Sequence, residues 1–393
     1  MKELCNEHKL ILVGSKDIQN KNEEIEFKAL MGSKLRWEEI IYQCLIHRTL
    51  NILFHNIRKF NLVSKIDKEL KKMFLNQWHS YYERNVTMCN ELSEILKVFK
   101  ENGVKAALLK GNLLVNLVYP SIETRQYNDI DFLIDLKDVG KITKSLESLG
   151  FVQGGYDENE DRIVPATRQE ILLQQMNTYE LVEFQKKISN AFTKVVVIDL
   201  NHDIGWKNAP FNVKTEELLG RCVPIEINGG EGFMLNHIDN LIQLCTHLYR
   251  EASFMFWITD LRDLKIYKFA DIFCYIRRFG SEIDWEDLLL KAKEYEIGKI
   301  LYYCFHYVEM MYGSIVPDDV MEELKPNDIG YLNEFGIENE KPLVWKTDFF
   351  TRLFDVTRIE GIDQKNLKEM DKYITARTEM ESRFKHRLVG KES

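Results

Sequence analysis

The spacing of apolar side chains divides the chain into two helical segments with a mixed segment between them. Between residues 35 and 100, apolar residues recur every three or four positions, as on one face of an α-helix, and no proline interrupts the pattern. The same period returns over residues 234–249, 261–279 and 301–311. The pattern therefore predicts two or three long helices before residue 101 and a second group of helices after residue 230.

The mixed segment changes its period several times. Asn102-Gly103 is a helix-stop signal, and two short runs after it have the length or the alternation of β-strands. Each run is followed by a segment with helical spacing. The predicted order is a strand over 104–109, a helix over 113–119, a strand over 129–135 and a helix over 139–149.

Two further strands are predicted over residues 176–186 and 193–200, whereas residues 152–175 fit no single pattern. The run from Val195 to Ile198 is the most β-prone in the chain because it consists of β-branched residues. Its continuous apolar character predicts a strand that is buried on both faces and lies beside the first pair of strands.

Together these elements predict an α+β fold, in which a small mixed β-sheet core is flanked by N-terminal and C-terminal helical regions. A chain of 393 residues is too long for one ordinary core, so two or three packed units are expected. We place an N-terminal helical region at 1–100, the sheet-bearing core at 101–230 and a C-terminal helical domain at 231–393.

Charge and cysteine content exclude several classes of function. The formal net charge is −9, which disfavours long nucleic acid as a partner because non-specific affinity comes from neutralising phosphates. The seven cysteines contain no C-x-x-C pair, which argues against a zinc ribbon and a disulfide framework. No run approaches the ~20 apolar residues of a membrane helix, and the N-terminus has no signal h-region. We expect a cytoplasmic protein without a membrane partner.

The candidate chemistry starts with two aspartates. Asp129 and Asp131 are two residues apart in a predicted strand, so their side chains point to the same face. Carboxylates this close repel each other unless a cation lies between them. A hard divalent ion, Mg²⁺ or Mn²⁺, prefers oxygen ligands and binds substrate phosphates together with them. The pair therefore predicts a metal site for displacement at phosphorus.

A turn and two more distant residues extend this site. The Lys110-Gly111 turn opens a helix, whose N-terminus presents free N–H groups, and glycine lets a phosphate approach the backbone closely. Lys110 and Arg125 are expected to supply countercharge to phosphates. Asp199, near the end of a predicted strand, is expected either to bind the metal or to take the proton from an attacking hydroxyl.

An Asp-x-Asp strand alone is common at solvent-facing edges, but its combination with a Lys-Gly turn and a later strand that ends in Asp is more specific. In this order of elements the chain resembles the nucleotidyltransferase superfamily that has the fold of DNA polymerase β. It is similar in particular to a bacterial family of uncharacterised nucleotidyltransferases, over about residues 35–315. The residues that carry this resemblance are Leu109-Lys110-Gly111, Tyr119-Pro120, Arg125, Asp129-Ile130-Asp131-Phe132-Leu133 and Asp199-Leu200-Asn201-His202.

The resemblance implies that residues 101–230 are a nucleotidyltransferase core, with Mg²⁺ or Mn²⁺ as cofactor and a nucleoside triphosphate as co-substrate. The implied reaction transfers a nucleoside monophosphate to a small molecule, a peptide or a protein and releases pyrophosphate. The implied catalytic and metal-binding residues are Asp129, Asp131 and Asp199. The implied nucleotide-binding residues are Lys110, Gly111, Asn112 and Arg125.

Two residues depart from the pattern of these relatives. Asn112 stands where the superfamily has serine, and Asn201 stands where the family usually has histidine, with His202 one position later. These departures mildly favour an alternative, in which the same fold binds a nucleotide without turnover as a regulatory or antitoxin-like module. The presence of all three carboxylates favours the enzyme.

Overall fold

The computed structural model describes residues 4–338 and 341–361, so the last part of the predicted C-terminal domain, with its charged tail, lies outside the described residues. The α-helices are α1 (Asn6–Gly14), α2 (Lys21–Met31), α3 (Trp37–Ile46), α4 (Leu50–Lys59), α5 (Lys68–Glu101), α6 (Lys110–Leu117), α7 (Val139–Ser148), α8 (Arg168–Asn177), α9 (Thr215–Gly220), α10 (His237–Ser253), α11 (Met255–Thr259), α12 (Ile266–Phe279), α13 (Trp285–Glu294), α14 (Gly298–Tyr312), α15 (Asp318–Leu324) and α16 (Phe349–Phe354). The strands are β1 (Ala107–Leu109), β2 (Ile130–Leu133), β3 (Val152–Asp157), β4 (Arg162–Pro165), β5 (Phe184–Lys187), β6 (Val195–Asn201), β7 (Val223–Ile227), β8 (Gly230–Met234), β9 (Glu334–Phe335) and β10 (Leu343–Val344).

Eight of these strands form one mixed sheet in the order β4-β3-β5-β6-β2-β1-β8-β7. The pairs β2–β6 and β1–β8 are parallel, and the other neighbouring pairs are antiparallel. The predicted α+β class is confirmed, but the prediction of a small sheet is wrong. Two hairpins, β3–β4 and β7–β8, extend it at its two ends. Their glycine-containing strands lack the apolar runs that mark β1, β2 and β6 in the sequence.

Helices α3, α4 and α5 confirm the prediction of two or three helices between residues 35 and 100, although only α5, with 34 residues, is long. Asp67 caps α5, because its side chain accepts hydrogen bonds from the amides of Glu69 and Leu70. Among the helices that follow the sheet, α13 is capped by Asp284, which accepts a hydrogen bond from the amide of Asp287. Within the described residues, no helix has the length and apolar character needed to cross a membrane.

The two faces of the sheet pack against different hydrophobic cores. Ile130 and Phe132 of β2 belong to a core that contains the apolar stripe of α5. Leu133 belongs to the larger core, which is formed mainly by the helices of both ends of the chain. Because alternate residues of a strand point to opposite faces, Asp131 shares the face of Leu133 and points toward the helical core. Strand β8, which pairs with β1, runs across the boundary that was predicted between residues 230 and 231.

Strand β6 lies beside β2, as predicted. The prediction that both of its faces are buried is wrong: Val196 and Ile198 are fully buried, whereas Val195 and Val197 are partly exposed. The partly exposed pair shares the face of Asp199, so this face of β6 is less covered than the opposite one.

Candidate active site

The sheet brings two of the predicted acidic residues side by side. In the parallel ladder of β2 and β6, Asp131 is the partner of Asp199. Asp129 directly precedes β2, and like Asp199 it is partly exposed, whereas only 4% of Asp131 is exposed. Neighbouring parallel strands lie about 4.8 Å apart, so the two paired carboxylates project from adjacent positions on one face.

Lys110 lies opposite this pair at the junction of β1 and α6. Its Nζ donates a hydrogen bond of 2.9 Å to Oδ1 of Asp131. Leu109, the residue before it, pairs with Asp131 across the antiparallel ladder, which places the lysine next to the aspartate. The backbone of Lys110 has a φ of +42°, in the left-handed region that non-glycine residues rarely adopt. The strain marks the sharp change from strand to helix at this position, and such strain concentrates at functional sites.

Negative charge dominates the electrostatics of these carboxylates. Burial raises the pKa of Asp131, and Asp129 adds to the increase, while Lys110 opposes it. Burial also raises the pKa of Asp199, and the charges of Asp131 and Asp129 raise it further. For Lys110, burial favours a lower pKa, but the charge of Asp131 outweighs it and the pKa is raised. Lys110 alone therefore does not neutralise the combined charge of Asp129, Asp131 and Asp199.

Two glutamates that the sequence does not single out add to this charge. Glu183 precedes β5, next to β6, and its pKa is raised by burial and by the charges of Asp129 and Glu180. Glu180 forms an isolated β-bridge with Asn201 and contributes to the raised pKa of Asp199. No motif spacing identifies either glutamate, because they reach the site only through the pairing of β5 with β6.

These residues suit a hard divalent cation by the chemistry of their donors. Within the described ranges, no group of three or more His, Cys, Asp or Glu side chains is arranged to hold a metal ion. Mg²⁺, however, is usually held by one or two carboxylates and completes its shell with water and substrate phosphates. Mutual repulsion between Asp131, Asp129 and Asp199 would be relieved by a bound cation, so the chemistry of the donor set fits such an ion.

Gly111 and Asn112 are both buried in the first turn of α6. A Cβ on Gly111 would lie 2.8 Å from the Cβ of Tyr127, so the glycine is required for the helix to pack against this tyrosine. Asn112 is fully buried, its Oδ1 is 3.5 Å from the Sγ of Cys89, and its Nδ2 has no hydrogen-bond partner among the described residues. The structure thus gives both residues contacts in the core, and their role in binding nucleotide remains a prediction.

Arg125 is buried and makes a two-pronged ion pair with Asp271 of α12. Its Nε and Nη2 lie 2.8 Å and 2.6 Å from the two carboxylate oxygens. The hydroxyl of Tyr119 donates a third hydrogen bond to Asp271, at 2.7 Å. This network joins the segment before β2 to the C-terminal helices. Arg125 therefore fixes the position of that segment, and only its Nη1 is buried without a partner in the described part of the chain.

Asn201 and His202, where the sequence departs from its relatives, lie at the end of β6. The Nδ2 of Asn201 is 3.5 Å from the backbone oxygen of Phe132, and the amide of His202 donates to the backbone oxygen of Tyr179. Burial lowers the pKa of His202, which favours its neutral form at neutral pH. Both residues hold the strand end and its neighbouring segment in place.

Comparison with known proteins gives one match. A family model described as "Uncharacterised nucleotidyltransferase" matches residues 33–313, which include all seven of the predicted site residues. No curated protein and no solved structure shows a significant match to the chain.

Proposed function

Since the chain belongs to the family of uncharacterised nucleotidyltransferases, we propose that it is a metal-dependent enzyme that transfers a nucleoside monophosphate from a nucleoside triphosphate to an acceptor. The observation that supports this most directly is the pairing of Asp131 with Asp199 on neighbouring parallel strands, with Asp129 just before the first of them. Excess negative charge on one sheet face is the environment that a divalent ion with a nucleotide requires.

Asp129 and Asp131 are the residues that would hold the metal ion, which, when bound, supplies charge neutralisation to the phosphates of the nucleotide. Asp199 accepts the proton of the acceptor's hydroxyl group. The acceptor oxygen then forms a bond to the α-phosphorus, and the bond between that phosphorus and the oxygen bridging to the β-phosphate breaks. Pyrophosphate leaves with the electron pair of the broken bond. Catalysis on this scheme consists mainly of positioning and electrostatic stabilisation.

Lys110 has two roles in this proposal. In the structure it pairs with Asp131, at 2.9 Å. With a nucleotide bound, its ammonium group would bind the phosphates at the N-terminus of α6, where free N–H groups also point. The acceptor is a small molecule, a peptide or a protein, because the net charge of −9 disfavours long nucleic acid.

A second candidate function is nucleotide binding without turnover. Its support is the same Lys110–Asp131 ion pair, which occupies one carboxylate, together with the lack of a ready three-ligand metal group in the described residues. On this reading the protein binds a nucleotide and regulates a partner.

Transfer of label from α-³²P nucleoside triphosphates separates the two functions. ATP, GTP, CTP and UTP are each incubated with the protein, Mg²⁺ or EDTA, and either a small-molecule extract or a protein extract as acceptor. The enzyme labels a component of one extract with one triphosphate, only with Mg²⁺, and Asp131→Asn does not. Equal absence of label for wild type and Asp131→Asn, combined with wild-type binding of the triphosphate, would support the second function and contradict the first.

A further inference from the structure

A group of cations outside the sheet lies beside the carboxylates. Three of them surround the ring of Tyr267 in α12. The guanidinium carbons of Arg48 and Arg125 are both 5.4 Å from the ring centroid, and the Nζ of Lys268 is 5.7 Å from it. Arg250 of α10 is the fourth member. We call Arg48, Arg125, Arg250 and Lys268 the cationic cluster; its residues come from four separate parts of the chain.

The cluster adjoins the acidic site directly. Arg250 reaches Glu180, with 3.5 Å between Nη2 and Oε1, and Glu180 contributes to the raised pKa of Asp199. Lys110, which is bonded to Asp131, is close enough to help lower the pKa of Lys268. The site thus consists of a carboxylate half on the sheet and a cationic half formed by helices α10 and α12 together with the segments that carry Arg48 and Arg125.

The positive potential within the cluster acts on its own members. Burial lowers the pKa of Lys268, and Arg48, Arg250 and Lys110 lower it further. Burial likewise lowers the pKa of His247, one turn before Glu251 in α10, and Lys110 and Lys268 lower it further. Cations that depress one another's pKa in this way are stabilised when an anion with several charges binds among them.

Two arginines of the cationic cluster have nitrogen donors that make no hydrogen bond within the described residues. The Nη1 of Arg125 and the Nε of Arg250 are buried and have no hydrogen-bond partner in the described part of the chain. In the same part of the chain, Arg48 has no anionic partner. The other members of the cluster pair with one carboxylate each: Arg125 with Asp271, Arg250 with Glu180 and Lys268 with Glu251. A buried donor that is left unpaired costs about 1–3 kcal/mol, so a ligand that accepts from it is favoured.

The backbone conformation at Arg48 determines the direction of its side chain. Its φ is +55°, in the left-handed region, and its neighbours His47 and Thr49 are each only 1% exposed. The buried neighbours fix the turn between α3 and α4, and the turn presents the arginine toward Tyr267. Arg48 directly follows the C-cap of α3, His47, and the amide of Thr49 donates to the backbone oxygen of Cys44, so this left-handed residue ends the helix and sets the direction of the arginine.

We propose that the cationic cluster binds the β- and γ-phosphates of the nucleoside triphosphate and retains the pyrophosphate that leaves. This inference rests on the proposed nucleotidyl transfer, because it assigns the second half of the same site. A metal-bound triphosphate carries a cation and a polyanion side by side, and the two halves of the site match them in charge. Arginine suits the second role, since its fork of N–H donors matches phosphate oxygens.

The test measures binding of inorganic tripolyphosphate by calorimetry in EDTA, so that neither a divalent ion nor a nucleoside contributes. Wild type is compared with Arg48→Met and Arg250→Met. Arg58→Met is the matched control, because Arg58 also lies over an aromatic ring, at 4.8 Å from the centroid of Trp78, but on the exposed side of α4. Thermal unfolding of each variant verifies that it is folded.

We expect wild type and Arg58→Met to bind tripolyphosphate equally, and Arg48→Met and Arg250→Met to bind it at least about tenfold more weakly, as expected for a lost charge-assisted hydrogen bond. Folded variants that bind like wild type, or a wild type that does not bind, would overturn the assignment. The label-transfer assay reports on the proposed function independently. Transfer that requires Asp131 but is unaffected by Arg48→Met would contradict only the cationic cluster, whereas Arg48-dependent binding without any transfer would contradict only the enzyme.

Discussion

Asp17 and Asp199 differ in the charges of the side chains that surround them. Asp17, which follows α1 in the chain, accepts hydrogen bonds from Gln19 and Lys59, at 3.1 Å and 2.6 Å. It also lies 3.2 Å from the Nε2 of His55. On the sheet, Asp199 has no ion pair within the described residues, and the charges that raise its pKa are those of acidic residues, Asp131 among them.

The electrostatics of the two groups differ in the same way. Burial alone favours a raised pKa for Asp17, but hydrogen bonds from His55 and Lys59 outweigh it and hold the pKa well below its usual range. For Asp199, burial and the neighbouring carboxylates act in the same direction and raise the pKa. The cations around Asp17 favour its ionised form, whereas the carboxylates around Asp199 disfavour it. Titratable groups whose pKa is perturbed in the second way concentrate at functional sites.

The largest effect is expected for Asp199→Asn. Because it removes the proton acceptor, label transfer should fall about 10³-fold, equivalent to about 4 kcal/mol in the activation free energy. Because it also removes repulsion with Asp131, the free energy of unfolding in EDTA at pH 7.5 should stay the same or increase. Urea unfolding and the label-transfer assay measure the two quantities. Loss of stability together with activity would mean that Asp199 is a structural residue and would remove the contrast with Asp17.

Arg125→Met is expected to have the next largest effect, and on stability. It leaves the buried carboxylate of Asp271 with a single donor, Tyr119, so unfolding should become easier by about 3 kcal/mol. The double variant Arg125→Met/Asp271→Leu should recover much of this loss, since it removes the unpaired charge. Urea unfolding of the single and double variants tests this. A change below about 1 kcal/mol in the single variant would show that the pair is not needed to hold the segment before β2.

Asp17→Asn should destabilise the protein by about 2 kcal/mol at neutral pH, because it removes charge-assisted hydrogen bonds with His55 and Lys59. Since the folded-state pKa of Asp17 is lowered, its contribution is fully present above the unfolded-state pKa of about 3.9. It is lost as the pH falls through the folded-state pKa. The difference in unfolding free energy between wild type and variant should therefore shrink in acid.

A difference that stays constant down to pH 2 would contradict the ionised state assigned to Asp17. Label transfer by the folded fraction of Asp17→Asn should equal that of wild type, in contrast to Asp199→Asn.

The smallest effect is expected at Gly111. In Gly111→Ala the new Cβ meets Tyr127 at 2.8 Å, so overpacking should destabilise the protein by about 1–2 kcal/mol. Gly140→Ala is the control, since nothing lies within 4 Å of a Cβ there, and in α7 it should be neutral or slightly stabilising. Thermal unfolding compares the two variants. If Gly111→Ala were as stable as wild type but bound triphosphate more weakly, the glycine would serve the ligand rather than the packing.

Local sequence patterns predict the parts of the fold that have local causes. The helical period predicts α3, α4 and α5, and the alternation around Asp129 and Asp131 predicts β2. The pattern does not predict the hairpins β3–β4 and β7–β8, because their strands are stabilised by pairing with the sheet rather than by an apolar run of their own.

In the candidate site too, the sequence identifies residues that lie close together in the chain but not those that only the fold brings together. Asp129, Asp131 and Lys110 lie close together in the sequence, so their spacing and residue types identify them. Arg48, Arg250 and Lys268 of the cationic cluster are not identified in this way, because they are distant in the sequence. Arg48 and Lys268 are 220 positions apart (268 − 48) and meet at Tyr267. Arg125 is recognisable as a candidate, but its partner Asp271 is not, so its place in a structural ion pair becomes evident only from the fold.

The most direct test of the central claim is the binding of Mn²⁺, followed by electron paramagnetic resonance in the presence of the triphosphate that supports transfer. We predict that wild type binds Mn²⁺ with this nucleotide and that Asp131→Asn binds it at least about tenfold more weakly, because the ion loses a carboxylate ligand. Asp17→Asn should bind Mn²⁺ as wild type does. Unchanged Mn²⁺ affinity in Asp131→Asn would show that the unbalanced carboxylates of the sheet do not hold a metal ion, and the proposed mechanism would be wrong.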